Sequence, residues 1–525
     1  MIFRKLAVGA LVAGAVGLVA NHTPRPVAQI DSGALRGVRP DMLPRGGGFL
    51  GIPFAAQPVG TLRWKAPQKP AHWEGVRDAA EWGAACPQRP SPWLPEMLGV
   101  QKMATDEACL WLNVWTPELH PREKLPVFVW VHGGGNVEGS GEWPPFGPTL
   151  AQQGIVVVSF NYRLGALGFF ASPELDAESP RHVSGNYGHL DQLEALRWVQ
   201  RNIAAFGGDP AKVTIGGESS GALDVCNLMA SPLAVGLFRG AILESGVCVD
   251  SVYPRMQDAE ENGKLLAKDL RAASLKDLRA VPAERVLEAA AQDDNLDLEP
   301  VVDSWVLPQQ PAIVFEKGNQ IAVPVLVGSN EDEISIFASP IVGGKSNWPK
   351  TVAAYRGWLQ SRFGPLADKV FQEYPVQTDS DAAHGFRTMD TDFDFAFGAW
   401  LMARQMAPVG ANAFLYRFTY VGAGPFAELG AFHSEELMFL SHRYWTSWVP
   451  QPGDADLSRA IIAYWTQFVK TGNPNGAGLP QWDALGAGAK QSQELGRRIG
   501  PEAVPRLDRF AVFQTYLTTR LQKTE

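Results

Sequence analysis

Between residues 125 and 245 the sequence alternates two kinds of text: short runs apolar at every position, and longer segments apolar at helical spacing. Pro126–Val131 (PVFVWV) and Ile155–Phe160 (IVVVSF) barely alternate, which is the pattern of strands buried on both faces. Leu190, Leu193, Leu196, Val199 and Ile203 then recur at helical spacing, and Phe206-Gly207-Gly208-Asp209-Pro210 ends that helix. Lys212–Ile215, a glycine-rich turn, a helix over Ala222–Met229 and the strand Gly240–Glu244 follow; Pro324–Val327 and Phe414–Phe418 are further strands. A strand that cannot spare a face to water must be covered above and below. The alternation therefore predicts an α/β fold with a mainly parallel, twisted central sheet and helices on both faces. Residues 251–291 and 348–406 read as helical excursions packed on the sheet, because no linker of Pro, Ser or Gly isolates them.

The first twenty residues belong to a different class of signal. Arg4 and Lys5 precede Leu6–Ala20, fifteen residues without a charge. A membrane span needs about 20 apolar residues, so this is a secretory leader, with an uncleaved anchor as the alternative. Leu18 is bulky for the position three before a cut, which leaves the cleavage point open. Residues 1–20 are thus expected to be removed on export, secreted or periplasmic, and 21–525 to form one domain without a further span. With 46 Lys+Arg against 55 Asp+Glu the chain carries −9 and has no basic block, which argues against a nucleic-acid partner. Four cysteines without a paired C-x-x-C spacing exclude a zinc ribbon or a disulfide scaffold.

Gly217-Glu218-Ser219-Ser220-Gly221 matches G-x-S-x-G. Alone the match is weak; its position between a strand and a helix raises it. Small residues two before and two after Ser219 let the chain turn sharply and present the hydroxyl above the sheet, at a helix N-terminus. His132-Gly133-Gly134-Gly135 follows the strand PVFVWV. A dinucleotide loop would need Gly at 138, which is Glu138, and a phosphate loop Lys at 140, which is Ser140. An oxyanion-hole loop fits without exception.

A serine nucleophile needs a base, itself oriented by a carboxylate, and in this arrangement the acid precedes the histidine in the chain. Three histidines follow Ser219. His384 lies in a polar stretch, His442 adjoins Arg443, and His433 sits in a Gly-opened loop after the strand FLYRF, where it is best placed. For the acid, Glu331, Asp332 and Glu333 share one loop after the strand PVLVG, and spacing does not separate them; Asp303 is a further candidate.

These segments, together with FLGIPFAAQPVGTLRW (Phe49–Trp64), DEACLWLNVWTP (Asp106–Pro117), NYRLGALGF (Asn161–Phe169), SGNYGHLDQ (Ser184–Gln192), FGGDPAKVTIGGESSGA, VLVGSNEDE and GAFHSEEL, resemble the type-B carboxylesterase/cholinesterase family of α/β-hydrolases over nearly the whole length. The resemblance implies an ester hydrolase with Ser219 as nucleophile, His433 as base and Glu333 as acid, and oxyanion donors at Gly134, Gly135 and Ser220. It implies a disulfide between Cys86 and Cys109, ion pairs Arg163–Asp191 and Arg63–Glu107, a small-molecule ester substrate, and neither metal nor organic cofactor. It gives no precedent for Cys226 and Cys248, which are as compatible with a bond as with two thiols. Two departures matter. Ser220 replaces the usual Ala, so its hydroxyl is free to bond locally or to substrate, and Trp93 does not align with the choline-binding Trp of cholinesterases. A general carboxylesterase is the expectation; a lipase on long-chain lipids and an inactive adhesion module are the alternatives. Trp143, Phe146 and Trp445 are candidates for the substrate pocket.

Overall fold

A computed structural model of the chain describes residues 24–91, 103–143, 146–292, 296, 298–342, 344, 348–486 and 490–523. The leader segment 1–20 and Trp93 lie outside the described residues. Thirteen strands are described: β1 (Val27–Ile30), β2 (Gly33–Arg36), β3 (Gly47–Pro53), β4 (Val76–Asp78), β5 (Trp111–Thr116), β6 (Leu125–Val131), β7 (Val156–Phe160), β8 (Gly208–Glu218), β9 (Gly240–Glu244), β10 (Val325–Asn330), β11 (Ala413–Phe418), β12 (Gln491–Leu495) and β13 (Ile499–Ala503). Ten form one sheet in the order β13-β12-β11-β10-β9-β8-β6-β7-β5-β3, while β1, β2 and β4 form a small second sheet. From β7 to β12 every neighbouring pair is parallel, and the antiparallel pairs lie at the two edges.

The continuous apolar runs are explained by two cores. Along β6, Val127, Val129 and Val131 enter one core and Phe128 and Trp130 the other. The helix Tyr187–Asn202 covers the first face with Leu190, Leu193, Leu196 and Val199. The helix Asp454–Thr471 covers the second with Ile461, Trp465 and Phe468. Each such side chain contributes roughly 1.5–3 kcal/mol on burial. The excursions are helical as expected: Met256–Asp269, Leu275–Ala280 and Ala283–Ala290 in the first, Val352–Phe363, Ala367–Glu373, Ala382–Thr391 and Phe397–Met406 in the second.

Both cysteine pairs are bonded, Cys86 to Cys109 and Cys226 to Cys248. The second bond ties the helix that begins at Ser220 to the segment following β9. Arg163 and Asp191 form a buried bidentate pair at 2.7 Å, and Arg63 Nε lies 2.7 Å from Glu107 Oε1. No helix among the described residues is long and apolar enough to cross a membrane.

After β6 the chain crosses to β7 on one side, and after β8 it moves to β9 on the other. Loops leaving the carboxyl ends of β6 and β8 diverge there and open a crevice, the usual ligand position in an open parallel sheet. The HGGG loop leaves β6, and Ser219 leaves β8.

Candidate active site

Ser219 sits at φ 57° and ψ −129°, between the end of β8 and the helix Ser220–Ala230. An L-residue rarely occupies this region, and the cost is of order 1–3 kcal/mol. The surroundings enforce it. The Ser219 N–H donates to Glu244 O of β9 at 2.8 Å, and its carbonyl accepts the Leu223 N–H at 3.1 Å. A Cβ at Gly217 would lie 2.5 Å from the backbone of Gly221, and one at Gly221 2.2 Å from Val131 O. The two glycines of the motif are thus steric necessities of the turn.

Opposite stands the loop His132–Asn136. Gly134, Gly135 and Asn136 all have positive φ, 104°, 63° and 58°. Glycine adopts such angles freely and asparagine more readily than other residues. His132 is buried and stacks on Tyr162 with centroids 4.3 Å apart. Burial presses its pKa down to about 4, so the ring is neutral and structural.

The His433 ring lies between two carboxylates. His433 Nδ1 is 2.6 Å from Glu333 Oε2, and Nε2 is 3.1 Å from Glu218 Oε1, an oxygen that also accepts the Ser434 hydroxyl. Glu333 is wholly buried, and its Oε1 accepts the Asn330 N–H at 2.7 Å. Phe337 and Phe395 flank the His433 ring at 5.2 Å each. Burial favours neutral imidazole, but Glu218 and Glu333 outweigh it, and the His433 pKa lies above the ordinary histidine value. Burial likewise raises Glu218, against the opposing charge of His433.

The competing acids are engaged elsewhere. Glu331 meets Arg417 at 2.6 Å and Arg506 at 3.1 Å; against burial, the two arginines hold its carboxyl below the usual range. Asp332 meets Arg387 and the Ala431 N–H, both at 3.2 Å. Its Oδ2 stands 2.0 Å from where a Cβ at Gly430 would be, so the loop that carries His433 must open on glycine. Asp303 Oδ1 accepts the N–H groups of Trp305, Val306 and Leu307 at 2.8–3.0 Å and acts as a turn cap. His384 is exposed, and His442 Nδ1 bonds Ser458 Oγ at 2.9 Å.

Two cavities meet at Ser219. One, of about 410 Å³, is lined by Met103, Val137, Trp143 and Phe337 and includes His433. The other, of about 450 Å³, runs past Ser220, Asp250, Tyr253, Arg362 and Phe395. Trp143 lines the site as anticipated; the other two aromatic candidates do not. Phe146 is buried against Trp130 at 4.9 Å, and Trp445 packs on Phe432 at 5.5 Å. Glu218 was missed as a partner of His433. It occupies an unspecified position of the G-x-S-x-G motif, where pattern carries no signal.

Because Glu218 favours the imidazolium, Glu218→Gln is expected to lower the His433 pKa. The neutral imidazole then persists to lower pH, and the acid limb of the kcat/KM profile is expected to move in that direction. An unchanged acid limb in p-nitrophenyl ester hydrolysis would dismiss this coupling.

The family model described as "Carboxylesterase family" matches residues 24–507. The fumonisin B1 esterase of Sphingopyxis macrogoltabida is 37% identical over 473 residues, which cover 87% of this chain and 84% of the relative. The para-nitrobenzyl esterase of Bacillus subtilis (strain 168) is 35% identical over 478 residues, covering 87% of this chain and 92% of the relative. A solved PNB esterase structure superposes with a TM-score of 0.80 at 32% identity, covering 93% of this chain and 100% of that one.

Proposed function

The chain belongs to the carboxylesterase family and is a serine hydrolase of carboxylic esters, and from that premise we propose that Ser219, His433 and Glu333 perform the reaction through a covalent acyl-enzyme. The observation that carries this assignment is the 2.6 Å contact of Glu333 with His433 Nδ1, in a crevice shared with the strained Ser219.

Ser219 Oγ attacks the ester carbonyl while His433 Nε2 takes its proton. The N–H groups of Gly134, Gly135 and Ser220 receive the oxyanion, each donor worth roughly 3 kcal/mol of barrier. Glu333 holds the Nδ1–H tautomer and stabilises the imidazolium. His433 then protonates the departing alcohol, and water repeats the sequence on the acyl-enzyme. The leaving alcohol lies in the cavity that includes His433, since the proton is delivered there; its lining of Met103, Val137, Trp143 and Phe337 favours an apolar alcohol part. The acyl part then takes the cavity on the Ser220 side.

Residues 21–525 act as one α/β-hydrolase domain, exported by the leader 1–20. Two bonded cysteine pairs fit an oxidising compartment.

A fluorophosphonate tests the assignment directly. One equivalent is expected to attach to the peptide containing Ser219 and to abolish hydrolysis of p-nitrophenyl butyrate. Attachment at another serine, with hydrolysis lost in step, would move the nucleophile elsewhere.

A further inference from the structure

The oxyanion donors come from two segments far apart in sequence, and what fixes one against the other is a residue outside the triad and the donors, Asn136, 84 residues from Ser220. Asn136 follows Gly135 directly and is 6% exposed. All four of its polar groups are paired. Its N–H donates to Ser220 Oγ at 3.1 Å, and its carbonyl accepts the Gly165 N–H at 2.6 Å. Its Nδ2 donates to Asp224 Oδ1 at 3.1 Å, and its Oδ1 accepts the Tyr162 hydroxyl at 3.0 Å.

Two of these partners, Ser220 and Asp224, lie four residues apart on the helix Ser220–Ala230 and so share one face of it. One holds the main chain of Asn136 and the other its side chain. Asp224 is itself immobilised. It is wholly buried, Gln192 Nε2 donates to its Oδ2 at 2.6 Å, and His189 Nε2 lies 3.1 Å from its Oδ1. A helix bearing the third oxyanion donor at its first residue thus grips the loop bearing the other two.

We infer that the Ser220 hydroxyl and Asp224 are positioning residues of the oxyanion hole, a clamp on Asn136 that holds the Gly134 and Gly135 N–H groups in register with the Ser220 N–H. This rests on the triad and oxyanion assignment made above. Three consecutive residues at positive φ would otherwise leave the loop free to relax, and donors misplaced by a fraction of an ångström lose much of their worth in the transition state. Without Ser220 Oγ the Asn136 N–H is buried without its acceptor, and the loop shifts to find another.

Ser220→Ala keeps the backbone donor and removes only the hydroxyl. The expected result is a fall in kcat of about tenfold at unchanged KM, since the loss is felt where negative charge has developed. Affinity for an aryl trifluoromethyl ketone, which forms a tetrahedral adduct on the serine, should fall by the same factor. Ser220→Thr, which retains a hydroxyl, should restore both. A kcat and a ketone affinity within twofold of the parent would overturn the clamp, whatever the thermal midpoint does, because a purely structural bond moves only the midpoint. If Ser220→Ala does not fold, Asp224→Asn, nearly equal in volume, carries the same two readouts under the same criterion. Failure of the clamp is distinct from failure of the triad, which would appear as persistent hydrolysis by Ser219→Ala.

Discussion

Ser219→Ala should fold as the parent does and lose hydrolysis by about 10⁵–10⁶ in kcat, the scale on which a triad loses its nucleophile. Folding should survive because the interactions that shape the turn are backbone ones. The Ser219 N–H bonds Glu244 O, its carbonyl bonds the Leu223 N–H, and neither involves the hydroxyl. Alanine and serine also bear the same kind of penalty at φ 57°, so the exchange adds no backbone strain. The lost step is specific. Without Oγ no acyl-enzyme forms, and what remains is water attacking an ester held by the proposed donors of Gly134, Gly135 and Ser220, a background of roughly 10³–10⁴ over the uncatalysed rate. The measurement is kcat/KM for p-nitrophenyl butyrate beside a thermal midpoint. A variant with a parental midpoint and a tenth of the parental rate would refute Ser219 as nucleophile.

How far the site was legible in sequence follows from where the information lies. Ser219 and the HGGG loop were readable because backbone geometry demands glycine at fixed offsets, and those glycines are visible in a single chain. The central strands were readable because burial on both faces leaves no alternation. The edges were not: β1 is four residues with every second one exposed, and β3 contains three glycines, so neither resembles a buried strand. The carboxylate partner of His433 Nδ1 was the hardest case. Three consecutive carboxylates in one loop are equivalent to a sequence reader, and they are distinguished by Arg387, Arg417 and Arg506, which arrive from 55 to 175 residues away. The resemblance to a family singled out Glu333; local spacing had no means to. Phe146 and Trp445 mark the reverse error, since a large aromatic near a catalytic segment is as readily core as pocket, and here both are core.

Glu333→Gln tests that assignment at its most exposed point, because it preserves volume and changes one oxygen to an NH₂. The buried carboxylate serves two donors, the Asn330 N–H at Oε1 and His433 Nδ1–H at Oε2. An amide satisfies only one of them. If its oxygen stays with Asn330, its NH₂ faces Nδ1 and forces that nitrogen to accept. The imidazole proton then moves to Nε2, where Glu218 Oε1, 3.1 Å away, accepts it and stabilises the wrong tautomer. If the amide flips, two buried donors oppose each other at Asn330. Either way the nitrogen that must take the Ser219 proton is occupied or displaced, and the expected loss is on the order of 10³–10⁴ in kcat. Glu331→Gln and Asp332→Asn release arginines instead of the base, and so should lower the thermal midpoint while changing kcat by less than tenfold. Asp303→Asn touches only a turn cap and should behave like them. Should Asp332→Asn or Asp303→Asn prove crippling in a folded variant while Glu333→Gln remains active, the acid has been misassigned, although Ser219 and His433 would keep their roles.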